Sequence, residues 1–321
     1  MTQVPRIKVA VLDDYQNVAL NMADWSPLDH RADITVFNDH VDDVGKLVDR
    51  LKPFDVVCAM RERTPLTREI IERLPSLKLI ASTGAANASI DLDAAAERGI
   101  KVCHTGYSST PTIEFTWALI LSMARNIPLE HQSLREGGWQ LSLGEELAGK
   151  TLGLLGLGRV GSAVGVIGRA FRMNVVAWSQ NLTEERAAEK GVQLVTRDVL
   201  FSTADFLSIH LRLSERTRHL VGAAEFAQMK STSRLINTSR GPIVDEAALI
   251  DALTTGRIAG AAVDVYDEEP PGESHPLRRL PNLLATPHIG YGSKELYRTF
   301  YGDTVQNIVR WLDETSGSAH D

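Results

Sequence analysis

The sequence predicts two doubly wound α/β domains, each built on a parallel sheet. Three observations carry this. Short runs of Val, Ile and Leu alternate with amphipathic segments from end to end, the pattern of strands buried on both faces and joined by helices. The chain has 321 residues, beyond the usual size of one hydrophobic core. The alternation also runs in two series, separated by the glycine-containing connection Glu136-Gly137-Gly138-Trp139.

In the first series the expected strands are Ile7–Leu12, Ile34–Phe37, Val56–Met60, Leu77–Ala81 and Ile100–Cys103. Val44–Leu51 and Thr67–Leu74 read as helices between them. A longer helix is expected over Thr112–Asn126, with Pro128 as its stop. The second series gives strands Thr151–Leu155, Asn174–Trp178, Phe206–His210, Ser233–Asn237, Gly260–Val265 and Leu283–Thr286. A last helix, Ser293–Leu312, precedes a polar tail, Asp313–Asp321, expected to fray.

Composition narrows the function classes. With 43% hydrophobic and 23% charged residues the chain reads as soluble and globular. A formal net charge of -7 offers nothing to attract nucleic acid or an anionic membrane. No run of 18 or more apolar residues predicts a membrane span, and Met1–Val11 lacks the features of a signal peptide, so the expected location is cytoplasmic. Cys58 and Cys103 lie in apolar runs and read as buried, unpaired thiols. The nine histidines form no HExxH and no Cys/His cluster, so no metal site is expected.

The strongest local motif is Gly156-Leu157-Gly158-Arg159-Val160-Gly161. The strand Thr151–Leu155 ends at the first glycine. After the third glycine, apolar residues continue the helical spacing of Val160, Ala163, Val164, Ile167 and Phe171. The motif therefore sits at a strand-to-helix turn. There the first glycine permits the tight turn, the second lets a pyrophosphate approach the backbone, and the third lets helix and strand pack closely. Free N–H groups and the positive end of the helix dipole favour the phosphates. At the end of the next strand an Asp or Glu would hold the ribose 2′-OH of NAD. Ser179-Gln180-Asn181 stands there instead. Nothing in it repels a 2′-phosphate and nothing attracts one, Arg159 being the nearby cation, so NAD and NADP both stay open.

Three further segments lie at strand ends. They are Leu235-Ile236-Asn237-Thr238-Ser239-Arg240-Gly241-Pro242-Ile243-Val244-Asp245-Glu246, then Ala262-Val263-Asp264-Val265-Tyr266-Asp267-Glu268-Glu269-Pro270, then Ala285-Thr286-Pro287-His288-Ile289-Gly290. With Ser82-Thr83-Gly84-Ala85-Ala86, the glycine turn and Ser208-Ile209-His210, their order makes the sequence resemble the D-isomer-specific 2-hydroxyacid dehydrogenase family, which includes phosphoglycerate dehydrogenases and glyoxylate and hydroxypyruvate reductases.

That resemblance implies catalysis by Arg240, Glu269 and His288. The residue types suit the chemistry. Reducing a 2-keto acid needs a hydride, a proton for the carbonyl oxygen and a cation for the carboxylate. Imidazolium is an acid near neutral pH, a neighbouring carboxylate favours it, and the guanidinium fork matches a carboxylate. The resemblance further assigns His210, Leu211, Thr238, Ser239, Asp264 and Gly290 to the cofactor, beside Gly156, Gly158, Arg159, Val160, Gly161 and Ser179. The loop holding Thr83, Gly84 and Ala85 is matched to the family's substrate loop, whose N–H groups hold the substrate carboxylate. Arg61, just past a strand end, is a candidate to reach the same substrate. His275, in the loop Pro270–Pro276, reads as a surface histidine.

In architecture the resemblance implies a Rossmann cofactor domain, residues 105–290, inserted into a flavodoxin-like substrate domain, residues 1–104 completed by 291–321. It implies an active site in the cleft between them with hinge closure, and a homodimer built mainly by the cofactor domains. The regulatory domain appended to many phosphoglycerate dehydrogenases is not expected, and no basic cluster singles out a phosphorylated substrate. Two other readings share the fold: a nicotinamide-sensing corepressor-like scaffold, and a dehydrogenase acting on formate or phosphite.

Overall fold

The structure is a computed structural model that describes residues 6–317. The chain divides into two compact units. One takes in the chain up to Ser108 and again from Ser293; the other is Ser109–Gly292. Each is built on one parallel sheet.

The sheet of the first unit has five strands: β1 (Ile7–Val11), β2 (Ala32–Val36), β3 (Val56–Ala59), β4 (Leu79–Ser82) and β5 (Lys101–His104). Their order is β2-β1-β3-β4-β5, the flavodoxin-like order, so the winding reverses between β1 and β3. The second unit carries β6 (Thr151–Leu155), β7 (Asn174–Trp178), β8 (Gln193–Leu194), β9 (Phe206–Ile209), β10 (Arg234–Asn237), β11 (Gly260–Val263) and β12 (Leu283–Ala285). Its order, β12-β11-β10-β9-β6-β7-β8, is the Rossmann order with one strand added beyond the sixth. Here the winding reverses between β6 and β9. The expected pair of doubly wound parallel sheets is what the chain forms.

Neighbouring residues on a strand face opposite ways, and both faces of the second sheet are covered. Leu235 and Ile236 on β10 enter different apolar clusters, as do Ala261 and Ala262 on β11. That is why these strands read as unbroken apolar runs rather than as alternating ones. Each fully buried Leu or Ile contributes about 2 kcal/mol through area removed from water.

The structure departs from the sequence reading in places with identifiable causes. Pro128 is not a stop. The helix before it is Thr110–Ala124, Asn126 turns the chain with a φ of 51°, and Pro128 sits in the first turn of a second helix, Ile127–Arg135. In a first turn the missing N–H of proline has no partner to lose. β8 was not anticipated, because two residues at a sheet edge leave no apolar pattern. The last helix, Lys294–Gly317, runs past Leu312 into the expected tail. There Arg31 pairs with Asp313 at 2.7 Å and Lys101 with Glu314 at 2.5 Å. Residues 318–321 of that tail, like residues 1–5, lie outside the described part. Cys58 is buried and its thiol is pushed up to about 12 by burial, whereas Cys103, expected to be buried, is half-buried; both are free.

The glycine turn lies at the reversal of the second sheet. Gly156 follows β6 with a φ of 105°, its N–H donates to Trp178 O at 2.9 Å, and His210 N–H donates to Leu155 O at 2.8 Å. The turn is thus stitched between the ends of β7 and β9. A Cβ on Gly161 would stand 2.2 Å from the Gly156 carbonyl oxygen, whereas one on Gly158 would meet nothing within 4 Å. Gly161→Ala is therefore expected to destabilise the second unit by about 2 kcal/mol or more. Gly158→Ala should cost a fraction of that. Urea unfolding of the two variants checks the contrast, and equal costs would show that the close approach is not what requires Gly161.

Candidate active site

The three candidate catalytic residues leave three adjacent strands of the second sheet at their carboxyl ends, where open parallel α/β sheets bind ligands. Arg240 follows β10, Glu269 lies in the loop after β11, and His288 follows β12. Glu269 Oε2 bonds His288 Nδ1, and Glu269 Oε1 accepts the Tyr266 N–H at 2.9 Å. Burial works against a charged Glu269. The bond to His288 and its charge, the Tyr266 N–H and the charge of Arg240 together outweigh burial and hold the carboxyl below the usual range. The ring of Tyr291 stands edge-on to the His288 ring, centroids 5.7 Å apart at 87°. With Nδ1 engaged by Glu269, the other ring nitrogen, Nε2, is the one left to exchange a proton with a ligand.

His288 has a φ of 50°, a left-handed conformation that surrounding contacts must hold. Asp264, 1% exposed at the end of β11, does so. Its Oδ1 accepts the Thr286 hydroxyl at 2.7 Å and the Ile289 N–H at 2.9 Å, and its Oδ2 accepts the Gly290 N–H at 2.7 Å. Burial nonetheless pushes its pKa above the usual carboxylate range, against those bonds. Assigned to the cofactor from sequence, Asp264 spends both oxygens on the turn that carries His288. Gly290 belongs to the same turn and is small by necessity, since a Cβ there would stand 2.8 Å from Asp264 Oδ2 and 2.9 Å from the ring of Phe115.

Sequence reasoning missed four residues that build the site. Asn237, 1% exposed, donates to Arg240 O at 3.0 Å and accepts the Ser239 N–H at 3.0 Å, so it shapes the turn leading to Arg240. Tyr266 joins the segments: besides the N–H it gives Glu269, its hydroxyl donates to Thr286 O at 2.8 Å. A Cβ on Gly241 would lie 2.1 Å from Tyr266, so the Arg240 segment packs backbone to backbone against it. Thr116 Oγ1 meets Thr238 Oγ1 at 2.9 Å. A buried Asn at a strand end is the one signal the sequence offered for any of these. His275 is taken up elsewhere, pairing with Glu246 at 2.9 Å.

The residues expected to hold a dinucleotide form a consistent surface at the same strand ends. Gly158, exposed Arg159 and half-buried Val160 open the helix Arg159–Ala170, and the space above Gly158 is clear. Half-buried Ser179 follows β7. Ser239 Oγ donates to Leu211 O, which ties the ends of β9 and β10. His210 follows β9; burial lowers its pKa to about 4, so the ring is neutral, and its buried Nε2 has no protein partner. An unsatisfied ring nitrogen beside the glycine turn, with an open helix N-terminus, fits a bound dinucleotide.

The remaining candidates belong to the first unit, at the carboxyl ends of β3 and β4. Arg61, with a φ of 54°, donates its N–H to Thr83 Oγ1 at 2.9 Å, and its guanidinium lies over the Tyr107 ring at 5.3 Å. The Thr83 N–H donates to Ala59 O at 3.0 Å and the Gly84 N–H to Thr105 Oγ1 at 2.7 Å. Of the loop's donors, exposed Ala85 and Ala86 keep N–H groups that no described residue accepts. Among the described residues no group of three or more His, Cys, Asp or Glu could hold a metal ion, and no helix is long and apolar enough to cross a membrane.

Comparison with known proteins shows the family. Residues 117–290 match the model of the D-isomer specific 2-hydroxyacid dehydrogenase NAD binding domain. The chain is 38% identical over 272 residues to a D-3-phosphoglycerate dehydrogenase of Methanocaldococcus jannaschii, covering 83% of this chain and 52% of that one. It thus spans about half the length of the first curated phosphoglycerate dehydrogenases it matches. A glyoxylate reductase of Aeropyrum pernix is 40% identical over 251 residues, 75% of each chain. The crystal structure of a phosphoglycerate oxidoreductase from Vibrio cholerae superposes with a TM-score of 0.91 at 37% identity, over 96% of this chain and 99% of that one. With a cofactor-binding unit that matches over its sequence and relatives that match over both units, the chain belongs to the D-isomer specific 2-hydroxyacid dehydrogenase family.

Proposed function

We propose that the protein interconverts a 2-keto acid and the corresponding D-2-hydroxy acid with NAD(H). The observation that carries this is the bond between His288 and Glu269, set at the strand ends beside Arg240 and the open glycine turn. The nicotinamide, when bound, supplies or accepts the hydride. His288 gives a proton from Nε2 to the carbonyl oxygen in reduction and takes it back in oxidation. Glu269 holds the ring by Nδ1 and stabilises its charged form. Arg240 binds the substrate carboxylate and polarises the carbonyl; in the first unit, Arg61 and the Thr83–Ala85 loop are carboxylate-binding groups. The similarity to a glyoxylate reductase favours a small substrate such as glyoxylate or hydroxypyruvate. The free cysteines suit the cytoplasm, where thiols stay reduced.

The protein works as a homodimer in this reading. From Ile127 to Leu143 the second unit exposes Ile127, Leu129, Leu134, Trp139, Leu141 and Leu143, the last at 95%. The segment is ordered by its own bonds: the Glu130 carboxylate accepts the N–H groups of Leu141 and Ser142, and Ser133 Oγ donates to Trp139 O at 2.8 Å. An ordered segment that exposes this many large apolar side chains is built to be covered, and a second copy is the occupant that the family implies.

A panel of 2-keto acids assayed with NADH and NADPH tests the activity, and turnover of none of them would remove the reading. Glu269→Gln should lower kcat for reduction about tenfold or more, with NADH binding intact, because the ring loses the carboxylate that holds it by Nδ1. An unchanged kcat would mean Glu269 does not position the acid. Ser179→Asp should shift preference toward NADH by about tenfold, through a bond to the ribose hydroxyls and repulsion of a 2′-phosphate. An unchanged ratio would place the ribose elsewhere. Leu143→Glu combined with Leu141→Glu should turn the dimer into a monomer in sedimentation velocity, and a dimer that survives both changes would move the interface off this segment.

A further inference from the structure

The chemistry described above leaves the buried carboxylate of Asp13, in the first unit, without a task. Asp13 follows β1, is 1% exposed and has a left-handed φ of 56°. Its Oδ1 meets His40 Nδ1 at 2.9 Å and its Oδ2 accepts the Thr64 hydroxyl at 2.7 Å. Its backbone oxygen accepts Arg63 Nη1 at 2.7 Å. One residue therefore joins the loops that leave β1, β2 and β3. The loop after β3 is joined in turn to the loop after β4. Arg61 N–H donates to Thr83 Oγ1, and Asn87 Nδ2 donates to Arg61 O at 2.5 Å and to Ser82 Oγ at 3.0 Å. A path of hydrogen bonds, joined through the backbone of the Arg61–Thr64 turn, thus runs from His40 to the Thr83–Ala85 loop.

We propose that Asp13 and His40 are positioning residues for substrate binding. They lock the Arg61–Thr64 turn, and through it the loop Ser82–Asn87, in the shape that takes the substrate carboxylate. This rests on the reading of Arg61 and that loop as carboxylate-binding.

His40 makes the lock depend on protonation. Its side chain is 11% exposed, and Nε2 meets Asp42 Oδ1 at 2.9 Å while Nδ1 meets Asp13. Imidazolium donates from both nitrogens, but neutral imidazole donates from one only, so deprotonation breaks one of the two contacts. The charged groups around it are Asp13 from the loop after β1, Asp42 on its own loop, and Arg63 from the loop after β3, which lies over the Tyr15 ring at 4.7 Å. On the far side of its own segment Asp39 is held by Arg50. The Asp13 bond raises His40 above the ordinary imidazole range, burial opposes this, and Asp42 adds to it. For a raised histidine the contribution is complete below its ordinary pKa and is lost as pH rises through the raised value.

The test measures KM and kcat for glyoxylate with NADH against pH, in the wild type and in Asp13→Asn, His40→Gln and Arg61→Gln. The KM of the wild type should rise with pH. His40→Gln keeps a donor toward Asp13 but does not titrate, so its KM should lose that dependence. Asp13→Asn should raise KM about tenfold, with kcat changed less and NADH binding, followed by fluorescence, intact. Should Asp13→Asn fail to fold, NMR titration of His40 in the wild-type holoenzyme decides the matter. Substrate binding and protonation are reciprocal, so adding oxamate should raise the His40 midpoint. A midpoint that oxamate does not move, or a KM profile that His40→Gln leaves unaltered while Arg61→Gln raises KM, overturns the proposal alone. An unchanged KM in Arg61→Gln overturns the carboxylate-binding reading and the proposal with it.

Discussion

The carboxylate of Asp264 is the interaction on which the candidate site depends. His288 needs a backbone conformation that an L residue adopts at a cost of about 1 kcal/mol or more, so its neighbours must hold it there. Asp264 does this from the end of β11 by taking the Ile289 and Gly290 N–H groups and the Thr286 hydroxyl at once. Its own N–H donates to Asn237 O at 3.0 Å, so the anchor is carried by the sheet and not by a loop. A candidate proton-transfer group held this way is placed by rigid elements, as catalysis would require.

The same device recurs. Asn237 at the end of β10 shapes the turn to Arg240. Asp13, two residues past β1, gathers three loops of the other sheet. In each case a short polar side chain, 1% exposed, sits where a buried strand gives way to a loop. Backbone groups leaving the sheet lose their ladder partners, and a buried group without a partner is costly. Asp264 and Asn237 are short enough to satisfy several of them while staying beneath the surface; the Asp13 carboxylate joins side chains, those of His40 and Thr64, instead.

Tyr266 joins the three candidate catalytic segments into one body. Its N–H bonds Glu269, its hydroxyl bonds the carbonyl of Thr286 and its backbone lies against Gly241. Arg240, Glu269 and His288 come from segments 29 and 19 residues apart in sequence, by subtraction of their numbers. They are brought together because each hangs from a neighbouring parallel strand and each segment is tied to the same tyrosine. The partial burial of the pair, with side chains 28% exposed for His288 and 32% for Glu269, keeps their attraction stronger than it would be in water while leaving the ring within reach of a ligand.

Sequence alone determined the pattern that local rules govern. Apolar runs named eleven strands, because a strand buried on both faces must be apolar throughout. Spacing placed the glycine turn, because strand, turn and helix are consecutive. The order of the three segments ending in Arg240, Glu269 and His288 identified the candidate residues. Tertiary structure alone decided what holds them. Pro128 reads as a stop or as a start according to the backbone of Asn126. Asp264 and Gly290 meet across 26 residues, Asp13 and Thr64 across 51, and nothing between them in the sequence marks the contact. Hydrogen bonds of that kind depend on which strand ends lie side by side, and strand order is fixed by how the whole sheet winds.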